Sequence, residues 1–150
     1  MELTPQDDVD KMYSRALDAL AAGNTQSALA QLERALKVLD NPALHSHLGY
    51  CIAKERGQVK KGRELCLGSL EFEPENPVHY LNLAHVQHIA GQKAEAIATL
   101  RQGMAVGGGS EIVAMLGALG TRRSPPLSFL SRDHLLNKWL GILLGRLGLR

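Results

Sequence analysis

The chain has 150 residues, a formal charge of +2 and 45% hydrophobic but only 4% aromatic residues, which fits one domain able to bury a shared core without disulfides or metal. So small a charge excludes bulk attraction to nucleic-acid phosphate, and the excess of Leu and Ala over β-branched residues favours helices over strands. The polar, acidic start Met1–Asp8 is not a secretory signal, and no apolar run reaches the roughly eighteen residues a bilayer span needs, so a cytoplasmic protein with reduced thiols is expected.

Helix starts come first along the chain. Thr4-Pro5 with Asp7 places a cap, a first-turn proline and an N-terminal acid together, which predicts a helix over 5–22. Asn41-Pro42 and Asn76-Pro77 repeat the cap-and-proline signal 35 residues apart. With the apolar periodicity between them, these starts predict further helices at 25–40, 42–56, 59–73, 77–90 and 93–106. Cys51 and Cys66 fall inside those apolar patterns and read as small buried hydrophobes, not a disulfide.

The glycines give the period. Gly23, Gly57 and Gly91 are each 34 residues apart and each ends one helical stretch before the next begins. Counting on from them, Ala28, Gly62 and Ala96 are small; Leu32, Cys66 and Leu100 are apolar. Ala35, Ser69 and Gly103 are small again, followed by Leu36, Leu70 and Met104. Glycine closes a helix because it enters the left-handed region without a Cβ clash. Small residues on one face of the second helix let two antiparallel helices approach, and the larger ones fill the seam.

A 34-residue helical pair with these offsets resembles the tetratricopeptide repeat. Tyr80, Leu83-Ala84, Gly91, Ala96, Leu100 and Gly103 match that family's signature best. The second repeat has Leu48-Gly49, Gly57 and Pro74, with one residue more between Leu48 and Gly57 than the third repeat has between Leu83 and Gly91. The first repeat has Met12, Ala16, Gly23, Ala28, Leu32, Ala35 and Leu36. The resemblance covers about residues 9–107. It implies an all-α, right-handed α-α superhelix: a solenoid of three helix-turn-helix repeats (9–42, 43–76 and 77–109), in which first helices line a concave groove for a peptide or helix of a partner.

Past the repeats, Gly107-Gly108-Gly109 ends the sixth helix, and Ser110 with Glu111 starts another over 110–119 that completes a solenoid of residues 1–120. A Pro-containing linker is expected over 121–131, then an amphipathic capping helix over 132–150, the second of two extra C-terminal helices. Its Leu135, Leu136, Trp139, Leu140, Leu143, Leu144 and Leu147 leave three readings open. Packing back on the solenoid is the default; self-association as a homodimer and attachment to a membrane surface are the others.

No catalytic constellation emerges. Neither cysteine adjoins a base, there is no Gly-x-Ser-x-Gly elbow, and the glycine run lacks a phosphate-loop lysine. His85 and His88 share a helix face near Cys51, but without an acidic third ligand at suitable spacing no metal is expected, and no cofactor. His79 and His134 read as surface residues. The cationic clamp by which some tetratricopeptide domains hold a C-terminal carboxylate is missing: the matching places carry Tyr13, Leu17, His47 or Leu48, Val78 and Asn82. The resemblance instead assigns the groove to Tyr13, Leu17, Leu20, Tyr50, Lys54, Leu81, His85 and His88, a set suited to an apolar or amphipathic segment. A non-enzymatic interaction module or scaffold is therefore expected. A chaperone for an exported or membrane-inserting protein and a self-associating structural module are the alternatives.

Overall fold

The computed structural model describes residues 2–120, which form seven helices: α1 (Pro5–Ala21), α2 (Thr25–Val38), α3 (Pro42–Arg56), α4 (Val59–Phe72), α5 (Pro77–Ile89), α6 (Lys93–Ala105) and α7 (Ser110–Gly120). Every start and stop falls within two residues of its expected place. The linker and final helix expected after Gly120, with His134 in it, lie outside the described residues.

Caps explain where the helices begin. Thr4 and Asp7 form a reciprocal capping box, the Thr4 Oγ1 accepting the Asp7 amide and the Asp7 carboxylate accepting the Thr4 amide at 2.9 Å. Asn41 and Asn76 each accept the amide two residues on, at 3.0 and 3.1 Å, ahead of a first-turn proline. Gly23, Gly57 and Gly91 lie at φ of 76°, 68° and 77°, where a side chain would be strained.

The additional residue of the second repeat is taken up at its turn. In repeats one and three an alanine (Ala22, Ala90) in right-handed conformation stands between the helix and its glycine. In repeat two the helix runs on to Arg56 and Gly57 itself is the cap. The next amide bonds accordingly, Gln58 reaching back to the Ile52 carbonyl where Asn24 and Gln92 reach Ala19 and Gln87.

Consecutive helices pack as antiparallel pairs, and the repeating small and apolar positions form the seams. Ala28, Leu32, Ala35, Cys66, Ser69, Ala96 and Leu100 have no exposed surface. The closest approach joins α3 to α4: a Cβ on Gly49 would lie 2.5 Å from the Gly62 carbonyl oxygen, and one on Gly62 would lie 2.6 Å from that of Gly49. Met104 departs from the pattern and is 41% exposed. Over Gly103 the space is filled by Ile112 of α7, whose Cδ1 sits 2.8 Å from where a Gly103 Cβ would be. Both cysteines are buried free thiols, and desolvation pushes each up to about 12. No helix among the described residues is long and apolar enough to cross a membrane.

Candidate partner-binding groove

The first helix of each pair turns one stripe of side chains toward a shared groove. Leu17, Leu20 and Ala21 come from α1, His47 and Tyr50 from α3, and Val78, Leu81, Asn82 and His85 from α5; these are one-turn spacings on each helix. Glu111 and Ala114 of α7 join the lining, and the space enclosed is about 580 Å³. Leu17 and Val78 remain 39% and 38% exposed, so apolar surface meets solvent along the groove.

Two aromatic contacts shape the floor. The Tyr50 and His85 rings stack with centroids 4.5 Å apart and planes 23° from parallel. Burial, aided by the positive fields of His88 and Lys54, holds His85 down at about 4, so the stacked imidazole is neutral at neutral pH. The Tyr13 ring meets His47 edge-on, its hydroxyl 3.1 Å from Nε2. His47 is likewise held at about 4, by burial and by the neighbouring His79, and its Nδ1 is buried without a hydrogen-bond partner.

Beside the groove, sharing His47 and Val78 with it, lies a second hollow of about 270 Å³ with Asp10, Tyr13, Asn41, Glu73, Asn76 and His79 in its wall. The Tyr13 phenol is pushed up by burial and then by the Glu73 charge. Glu73 itself lies below the usual carboxylate range because His79 and Asn76 donate to it.

His79 corrects the sequence reading. It is 1% exposed, not a surface residue, because it sits at the centre of a polar chain linking repeats. Asn82 Nδ2 donates to Ser46 Oγ at 3.0 Å, and Ser46 Oγ lies 2.7 Å from His79 Nδ1. His79 Nε2 lies 2.7 Å from Glu73 Oε1. Since the carboxylate only accepts, the Nε2–H donates to Glu73 and Nδ1 accepts the serine hydroxyl, a tautomer assigned from its partners. Ser46 has no exposed surface, and this serine–histidine–glutamate chain joins one repeat to the next.

Of the residues assigned from sequence, Leu17, Leu20, Tyr50, Leu81 and His85 line the groove together, while Tyr13 lies in the adjoining hollow. Lys54 and His88 are exposed and outside the lining, although their charges are felt at His85. His47, Val78, Asn82, Ala21, Glu111 and Ala114 were not among the assigned set. The first four stand three or four residues from an assigned member on the same helix, so helical spacing would have found them; the two from α7 had no repeat register to point to them. Among the described residues no three His, Cys, Asp or Glu side chains come together as a metal site.

A tetratricopeptide-repeat family model matches residues 65–98. The tetratricopeptide domain of Sgt2 from Aspergillus fumigatus superposes with a TM-score of 0.59 at 20% identity, covering 78% of this chain and 78% of that one. The chain carries one matched tetratricopeptide repeat and has the fold of a tetratricopeptide-repeat solenoid. The repeat solenoid is also similar to part of an O-GlcNAc transferase of Thermobaculum terrenum (TM-score 0.65, 18% identity, 79% of this chain), although it spans only 23% of the transferase's length. A third similar structure is the type III secretion chaperone SycD of Yersinia enterocolitica in complex with a peptide of the translocator YopD (TM-score 0.54, 17% identity, 76% of this chain and 93% of that one). No curated protein sequence matches the chain.

Proposed function

We propose that this repeat solenoid is a protein-interaction module whose concave groove holds an extended or helical segment of a partner through apolar side chains. The observation that carries the reading is the pairing of half-exposed Leu17 and Val78 across a groove floored by the Tyr50–His85 stack. Apolar side chains left open beside a rigid, largely neutral floor favour burial of apolar partner residues, with Asn82 and Glu111 available for polar contacts. A peptide accompanies SycD, a protein of similar fold, which is in keeping with this use of the architecture. Among the described residues the groove wall holds no Lys or Arg, which makes a free carboxylate a poor ligand for these side chains.

Selection of a random phage-displayed peptide library on the full chain tests the reading. Peptides carrying two or more apolar residues at helical or alternate spacing should be enriched. They should bind the Leu17→Glu and Val78→Glu variants at least tenfold more weakly, with the fold intact because both positions are already open to solvent. Leu81 is a poor choice for the same test, since at 8% exposure a charge there would be buried and destabilise the protein. Enriched peptides indifferent to both substitutions would remove the groove from the account.

A further inference from the structure

We propose that the groove is covered by the chain's own C-terminal segment, residues 132–150, which a partner has to displace. The inference rests on the reading of the groove as a docking surface and names what regulates access to it.

The segment has the chemistry of a groove ligand. Leu136, Leu140, Leu143 and Leu147 stand at one-turn spacings with Trp139 beside them, so a helix through them gathers its large apolar side chains on one face. Gly141, Gly145 and Gly148 fall on the opposite face, and each weakens a free helix relative to alanine. Such a helix needs a surface to pack on. The solenoid has an open apolar one, where Leu17 and Val78 meet solvent beside Leu20 and Leu81. Val78, Leu81 and Glu111 also border a further recess of about 240 Å³ that Pro77 and Ile112 complete, which lengthens the trough toward the start of α7.

Charge selects the same occupant. Residues 121–150 carry six Lys and Arg against a single acid, Asp133, whereas residues 2–120 carry eleven against fourteen Asp and Glu. Among the described residues the one carboxylate in the groove wall is Glu111, and no Lys or Arg opposes it. A basic, apolar segment is therefore drawn to these repeats and an acidic one repelled.

The chain is long enough to make the contact within one molecule. The segment is tethered through residues 121–131 to α7, which itself lines the groove with Glu111 and Ala114. Eleven extended residues reach about 36 Å, several times the roughly 8–10 Å between the axes of packed helices. A tether of this kind gives an effective concentration on the order of millimolar, so even a weak contact closes the groove ahead of a second copy.

Trp139 is the one tryptophan of the chain, so its fluorescence follows the segment in the full-length protein. Native emission should lie to the blue of that in guanidinium and should not change on dilution. It should move to the red in the Leu17→Glu, Val78→Glu double variant, with helix content and thermal unfolding unaltered, and again when a selected peptide saturates the unaltered chain. Leu140→Glu should raise affinity for that peptide about tenfold, as expected if the groove of the unaltered chain is open about one-tenth of the time. Emission indifferent to both the double variant and the peptide would overturn the inference. So would a red shift on dilution, which would make the occupant the segment of a second copy. Peptides that lose affinity for the double variant while Trp139 does not respond would leave the groove reading standing without this one. Peptides indifferent to the double variant while Trp139 responds would do the reverse.

Discussion

At Gly49 and Gly62 two helices meet backbone to backbone, and no other residue type fits that distance. Gly62→Ala forces a methyl group against the Gly49 carbonyl and should cost about 1–3 kcal/mol, read as a lowered urea midpoint. Gly68→Ala on the same helix meets nothing within 4 Å and should stabilise by about 0.5–1 kcal/mol through helix propensity. If the two substitutions behaved alike, the tight α3–α4 contact would be in error. The thiols give a second reading at this scale. With both cysteines buried and pushed up to about 12, an aromatic disulfide reagent should label neither in the native protein and both in guanidinium. Burial of these cysteines was legible from their place in apolar helical periods. Burial of His79 was not, because its partners Ser46 and Glu73 lie 33 and 6 residues away and only stacking of the repeats brings the serine to it.

Among the elements, α3 and α5 are tied by the chain Asn82–Ser46–His79–Glu73. Ser46→Ala leaves the Asn82 amide and His79 Nδ1 without a partner in the interior, while His79 Nε2 keeps Glu73, and should cost about 1–3 kcal/mol. Because the partners act together, adding Asn82→Ala should cost less than its separate effect. The groove helices also make stability depend on pH. His47 and His85 titrate at about 4 in the folded protein against 6.5 for the free side chain. Between those values the unfolded chain binds more protons than the folded one, so stability falls as pH falls from about 6.5 toward 4 and is fully present above that window. Each histidine contributes on the order of 3 kcal/mol to the drop. His85→Phe, which keeps a ring on Tyr50, should remove roughly half of it in urea titrations run from pH 7.5 to 4.5. An unchanged slope would mean that His85 is solvated.

For the molecule as a whole, the 34-residue glycine period and the Asn-Pro caps made the three helical pairs legible, since each rests on local backbone chemistry. Much of the groove was legible too, because helical periodicity fixes which residues of one helix share a face. Tyr13 was assigned to the groove and lies in the hollow beside it, while Lys54 and His88 stand outside the lining. Those placements depend on how α1, α3 and α5 rotate against one another, which packing between repeats decides and the periodicity of a single helix does not. The contribution of α7 through Glu111 and Ala114 follows from the packing of Ile112 over Gly103, a contact outside the repeat register.

Amide hydrogen exchange on the full chain, with and without a peptide chosen by selection, tests the central claim most directly. Slowed exchange should concentrate on the C-terminal half of α1 around Leu17–Ala21 and on α5 around Val78–His85, with α2, α4 and α6 unchanged. Protection confined to α2, α4 or α6, on the far side of the helix pairs, would contradict the account.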